Sequence, residues 1–237
     1  MSIRTPTNPR GLKDIPFALP QVTPEDKRRA RRLLEALRRA HPDAHCELNY
    51  SSPHELLIAT ILSAQCTDVA VNKATPALFR AFPTPADYAK ATPEQIEPYV
   101  KSLGFFRNKA KAIHAAMSSI VSEHNGQVPT EMDELLALRG VARKTANVVL
   151  GNAFGINVGF VVDTHVMRLS KRFCLIEESE QGKPEKIEKR LMALFPRSSW
   201  SQASHLFVWH GRRACKARMA SCSDHPVCSR FGACCEL

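Results

Sequence analysis

No stretch of this chain approaches the ~18 consecutive apolar residues of a membrane-spanning helix, which excludes a helical membrane protein. Residues 1–22 lack the apolar core of a secretory signal, and Pro6, Pro9, Asp14 and Pro16 would interrupt an amphipathic targeting helix. An intracellular protein is therefore expected. Nowhere do apolar and polar residues alternate between hairpin turns, so strands are expected to be nearly absent. Nothing repeats at the period of a solenoid. Cys-x2-Cys pairs are missing as well, which removes the common zinc knuckles.

What is present is an ordinary globular composition with a strong charge bias. The chain has 237 residues, 44% hydrophobic and 24% charged, with a net charge of +10. That balance points to a polyanionic partner, nucleic acid first and an acidic membrane surface second. Eight cysteines are distributed unevenly, five of them from Cys215 onward. In an intracellular protein such a cluster reads as a metal site rather than as disulfides. Cys46, Cys66 and Cys174 read as small buried side chains.

Residues 1–22, rich in proline and polar groups, are expected to form a flexible tail. Thr23-Pro24-Glu25-Asp26 then opens a helix with a Thr cap, Pro in the first turn and acidic residues behind it. Ser52-Pro53, Thr84-Pro85 and Thr92-Pro93 repeat the start signal. Helical spacing continues through residues 68–82 and 107–124, in the two arms of a hairpin near residue 140, after Asp163, and over residues 186–195 and 201–213. The expectation is an all-α chain of roughly ten helices.

The stretch with the most chemistry is LRGVARKTANVVL, residues 138–150. Gly140 ends one helix and a second restarts at Arg143, so only Gly140-Val141-Ala142 joins them. The first amides of the second helix then face outward without partners, and the helix dipole favours an anion there. Arg139, Arg143 and Lys144 surround the spot, which suits a nucleic-acid phosphate. Lys144 is the residue here capable of covalent chemistry: a helix N-terminus and Arg143 both disfavour its ammonium form. Asp163 reads as a helix cap whose fixed carboxylate can accept a proton or stabilise positive charge on a sugar. In the tail, Cys215-x6-Cys222-x5-Cys228-x5-Cys234 offers four thiolates, at spacings that suit a cubane cluster at least as well as zinc. His225, inside Cys222-x2-His225-x2-Cys228, reads as a loop histidine.

Five segments together resemble the endonuclease III family of helix-hairpin-helix DNA glycosylases: LSAQCTD (62–68), LGFFRNKA (103–110), the hairpin, VVDTH (161–165) and HGRRACKAR (210–218). They follow the family's order and spacing across most of residues 24–234. The resemblance implies an all-α fold of two helical domains flanking a DNA-binding cleft. Residues 45–156 would form a six-helix barrel with the hairpin at 138–144, and residues 23–44 and 157–237 a [4Fe–4S] cluster domain. It also implies a base-excision N-glycosylase for oxidised pyrimidines with abasic-site lyase activity. Lys144 would be the nucleophile and Asp163 the assisting carboxylate. Gln65 would fill the gap left by the extruded nucleotide, Phe105 would wedge into the opposite strand, and Arg139, Gly140, Ala142, Arg143, Thr145, His165 and Lys216 would contact DNA. Cys215, Cys222, Cys228 and Cys234 would hold the cluster. The partner would be double-stranded DNA with a damaged base or abasic site, met by a monomer with no membrane role. Its place would be the cytoplasm and nucleoid in a bacterium, otherwise the nucleus or an organelle.

Three positions depart from the family pattern. Arg139 replaces a proline, Ala142 replaces the second glycine of the hairpin, and His225 falls where the third cluster cysteine would be. If position 142 needs a positive φ, alanine there costs roughly 1 kcal/mol. A related adenine glycosylase is the nearest alternative activity; Lys144 and the absence of residues beyond Leu237 speak against it. A non-catalytic hairpin protein would not require Gln65, Lys144 and Asp163 together.

Overall fold

The structure, a computed structural model, describes residues 15–218 and 224–232. Among these residues it is helical without strands, as the missing alternation predicts. The chain divides into two compact units, one of Cys46–Ile156 and one combining the segment up to His45 with the chain from Asn157 on.

The first unit is built on α2 (Pro53–Leu62), in which every residue from Leu56 to Leu62 is buried. An all-apolar helix of this kind is stable only when covered on every side. α3 (Asp68–Ala81), α4 (Pro85–Lys90), α5 (Pro93–Val100) and α6 (Phe106–Glu123) precede the two hairpin arms, α7 (Met132–Ala137) and α8 (Arg143–Ala153). α4 and α5 pack on α6, and α2 packs on α8. The Ser/Thr-Pro signals mark real starts. Thr84 and Thr92 each form a capping box with the third residue of their helix, and the Ser52 hydroxyl accepts from the Glu55 amide.

In the second unit, α1 (Pro24–Ala40) buries Ala30, Leu33, Leu34 and Leu37. They pack in one core with α9 (Thr164–Arg172), α10 (Pro184–Leu194) and α11 (Trp200–Arg213), where Phe160, Phe173, Phe207 and Trp200 are almost wholly buried. One expectation changes here. Residues 15–22 are not a loose tail: Ile15, Phe17, Leu19 and Val22 pack on this core, and the Lys189 ammonium lies 4.6 Å from the Phe17 ring centre. The basic face of α1 is also not wholly given to solvent. Arg29 donates to the Phe173 carbonyl at 2.6 Å and the Phe231 carbonyl at 3.0 Å, tying α1 to two helix ends. The tail contains α12 (Pro226–Phe231), which the sequence pattern did not predict.

Candidate active site

The hairpin turn is anchored by Leu138 and Val141, both buried, with the Val141 amide donating to the Leu138 carbonyl at 3.2 Å. Its sharp corner is Gly140, at φ +82°. A Cβ on Gly140 would lie 2.9 Å from Ala112 Cβ on α6, so sterics and backbone geometry both demand glycine. Ala142 sits instead at φ −96°, ψ 169°, an extended conformation that alanine adopts without strain. The condition for strain at position 142 is therefore not met, because the single left-handed residue of the turn is Gly140. The first intrahelical bond of α8 runs from the Ala146 amide to the Ala142 carbonyl, and the positive end of the helix dipole there favours an anion. Arg139 and Lys144 are exposed and Arg143 is half-buried, whereas Thr145 is buried. Burial pushes the Cys46 thiol up; Asp68 adds to that rise and the Lys144 ammonium opposes it, so all three groups share one neighbourhood.

Gln65 and Phe105 stand at the tips of two turns in this unit, and both are left-handed, at φ 55° and 57°. Left-handed backbone at a residue with a full side chain is uncommon and marks functional sites. Phe105 is 65% exposed, so it is not a core residue. Both turns lead to Lys109 on α6. Its amide donates to the Phe105 carbonyl at 3.0 Å, and its ammonium, in a side chain only 6% exposed, donates to Cys66 Sγ at 3.1 Å beside Gln65. The sequence reading passed over Lys109. The signal was there: 109, 113, 116 and 120 form the inward stripe of α6, and a lysine in such a stripe needs a partner.

In the second unit Asp163 caps α9, its Oδ1 accepting from the Val166 amide at 2.8 Å. The cap fixes a half-buried carboxylate in one place. His165 lies inward, against the close approach of α9 to α11 at Gly211, where an added Cβ would meet His165 Nδ1 and Arg168 Nη2 at 3.0 Å. Burial holds the His165 imidazole below its ordinary pKa, with Asp163 pulling the other way. Arg168 bonds the carbonyls of Gly211 and Cys215, and Arg172 bonds the Lys216 carbonyl at 2.7 Å. The Lys216 side chain, beyond that tether, is exposed.

Of the four expected cluster ligands, Cys222 and Cys234 lie outside the described residues. Cys215 and Cys228 are buried in the core of this unit, and neither is in a disulfide. Cys174, expected to be a plain buried thiol, is disulfide-bonded. Arg172 donates to Cys215 Sγ at 3.0 Å. Cys228 Sγ meets nitrogen: His210 Nε2 is 3.1 Å away, His41 Nε2 is 2.9 Å from His210 Nδ1, and the His225 ring centre is 4.7 Å from that of His210. Burial, with His225 and His41 alongside, takes the pKa of His210 down to about 3. A cubane cluster takes four thiolates. Of those four, Cys215 and Cys228 are described, and imidazoles stand beside Cys228.

A helical hairpin presenting an exposed lysine, carried on an all-α frame, defines a class, and the comparisons agree. Residues 58–197 match the family described as HhH-GPD superfamily base excision DNA repair protein. The chain is 50% identical over 198 residues to an endonuclease III of Synechocystis sp., covering 84% of this chain and 89% of that protein. With an endonuclease III of Bacillus subtilis it shares 43% over 188 residues, 79% of this chain and 84% of that one. A solved structure of a non-covalent endonuclease III–DNA complex superposes with a TM-score of 0.82 at 41% identity, over 90% of this chain and 96% of the other. A trapped endonuclease III–DNA covalent intermediate superposes with 0.80 at 42% identity, over 87% and 94%. The chain belongs to the endonuclease III family, bifunctional DNA glycosylases and abasic-site lyases of base-excision repair.

Proposed function

We propose that Lys144 is the nucleophile of this enzyme and that its substrate is double-stranded DNA carrying an oxidised pyrimidine or an abasic site. The observation that carries this reading is the position of Lys144: exposed, second in α8, beside a turn locked by Gly140. The hairpin amides with Arg139 and Arg143 bind phosphate and set the register of the strand. The lesion leaves the stack before its C1′ is reachable. Gln65 takes the vacated space and Phe105 wedges into the opposite strand; both side chains stand on exposed turns that Lys109 braces from behind.

The neutral Lys144 Nζ then attacks C1′. The C1′–N bond breaks with its electron pair going to the base, which leaves protonated, and the nitrogen gives up a proton. Opening of the sugar ring moves the C1′–O4′ pair to O4′, which takes up a proton from water to become a hydroxyl, and leaves an iminium between Lys144 and C1′. That electron sink acidifies the C2′ hydrogen. Its loss forms the C2′–C3′ double bond and expels the 3′ phosphate, nicking the strand. Asp163, held by its cap, supplies the carboxylate that stabilises positive charge on the sugar and accepts a proton. His165, turned inward, supports α9, and Lys216 contributes charge near the backbone. The enzyme works as a monomer, in whichever compartment holds the DNA; no helix among the described residues is long and apolar enough to cross a membrane. No step passes through a metal centre.

Borohydride reduction tests this directly, because it freezes the iminium as a covalent protein–DNA band. Wild type gives the band on duplexes with an oxidised pyrimidine and with an abasic site, and Lys144→Ala gives neither. A band of undiminished yield from Lys144→Ala would overturn the assignment.

A further inference from the structure

We propose that Lys109 is a positioning residue: through Cys66 it ties together the two turns that carry Gln65 and Phe105, so that both side chains stand ready when a lesion nucleotide leaves the stack. This role presupposes that Gln65 fills the vacated space and that Phe105 wedges into the opposite strand. The chemistry at Lys144 does not use Lys109, so the burial of a second lysine in this unit needs another cause.

A lysine ammonium is costly to bury unless it is paired. Lys109 is 6% exposed and shares the inward stripe of α6 with Ile113, Ala116 and Ile120. Among the described residues no carboxylate pairs with its ammonium, and its acceptor is Cys66 Sγ at 3.1 Å. An apolar side chain would fill the same place without the desolvation cost. What the ammonium adds is a directed bond to one point of the chain 43 residues away. Sulfur is a weak acceptor, so the bond sets position more than it stabilises the fold.

That point is the residue after Gln65. The Cys66 amide donates to the Ser63 carbonyl at 3.0 Å, closing a turn with Gln65 at its left-handed corner. Cys66 is half-buried and Gln65 exposed, so the turn sends one side chain in to Lys109 and the other out. On the other side, Phe105 is the N-cap of α6 and its side chain makes no cap hydrogen bond. Its carbonyl accepts from the Lys109 amide at 3.0 Å. Lys109 therefore holds the Phe105 turn with its backbone and the Gln65 turn with its side chain. Left-handed backbone at residues other than glycine is unfavourable and persists where surrounding contacts hold it. Fixing both turns beforehand removes an ordering cost from the moment of extrusion.

The role shows in which substrate suffers. Single-turnover excision by the full chain is measured on a duplex with an oxidised pyrimidine opposite adenine. The same lesion opposite a tetrahydrofuran abasic analogue, where no base pair has to open, is the reference. Lys109→Met keeps most of the stem and the backbone bond and removes the ammonium. It should lower the paired-to-unpaired rate ratio about tenfold, the scale of one lost stacking contact. The fall lies in the rate at saturating enzyme, with duplex affinity retained. Cys66→Ala gives the same fall, and Cys66→Ser, whose hydroxyl accepts from the ammonium, restores most of it. The double variant of Lys109→Met and Cys66→Ala is no slower than Lys109→Met alone. The thermal midpoint of Lys109→Met holds or rises, because a buried charge gives way to an apolar chain. An equal fall on both substrates, or a double variant that multiplies the two single effects, would overturn the proposal. Gln65→Ala and Phe105→Gly run beside these variants. If both lower the ratio and Lys109→Met leaves it unchanged, the link is overturned while the roles of the two turns stand. If neither lowers it, those roles fall and the proposal falls with them.

Discussion

The two units use their polar residues in opposite ways. In the unit of Cys46–Ile156, the groups assigned to DNA and to chemistry point outward, and special backbone geometry places them: Gly140, Gln65 and Phe105 are all left-handed. In the other unit, several polar groups point inward. His210 is fully buried, Arg168 and Arg172 are spent on carbonyls of the α11 end, and the Asp163 carboxylate bonds its own helix. The first unit thus stores its function in exposed side chains on strained turns. The second stores it in a rigid interior that fixes where a few groups stand. Substitutions of exposed side chains in the first should change activity and spare stability, and those of the fully buried polar groups in the second should do the reverse.

The sharpest form of that contrast is Lys144→Ala. It is expected to lower lesion cleavage by at least about 10³-fold, as for other lost nucleophiles, while shifting stability by less than about 0.5 kcal/mol, as exposed sites do. His210→Ala is the mirror experiment. It strips the partner of His41 and Cys228 from a buried site, and urea unfolding should register a loss of about 2–4 kcal/mol. A loss under 0.5 kcal/mol would break the contrast. Gly140→Ala tests whether backbone geometry matters as claimed. Its φ of +82° and the 2.9 Å approach to Ala112 predict destabilisation of about 1–2 kcal/mol together with weaker duplex binding in a salt titration. Phe105→Gly is expected to lose no stability. Relief of the left-handed strain offsets the added freedom of the unfolded chain, so stability holds or rises by up to about 1 kcal/mol. Lost stacking should still slow excision about tenfold.

Much of this was readable before any coordinates. Helix starts carry their own chemistry, and Thr23, Ser52, Thr84 and Thr92 all announced theirs. The hairpin was visible because glycine between two apolar periodicities has few other meanings. What escaped was of two kinds. The conformation of Ala142 stayed open because a motif specifies residue types, whereas φ depends on how the turn packs: Gly140, pressed on α6, takes the left-handed position of the turn. The histidine group escaped because its members come from α1, α11 and α12. No local pattern links residues 41, 210 and 225, and His225 viewed alone is a loop residue. Lys109 escaped for a related reason, since the sulfur it meets lies 43 residues away across a turn.

The central claim is that the exposed lysine of the hairpin unit bonds to the sugar. Peptide mass spectrometry of the borohydride-trapped complex, after nuclease and trypsin digestion, tests it most directly. The account predicts the reduced deoxyribose remnant on Lys144, in a peptide with a missed cleavage at that residue. The remnant on any other lysine, with Lys144 unmodified, would contradict it.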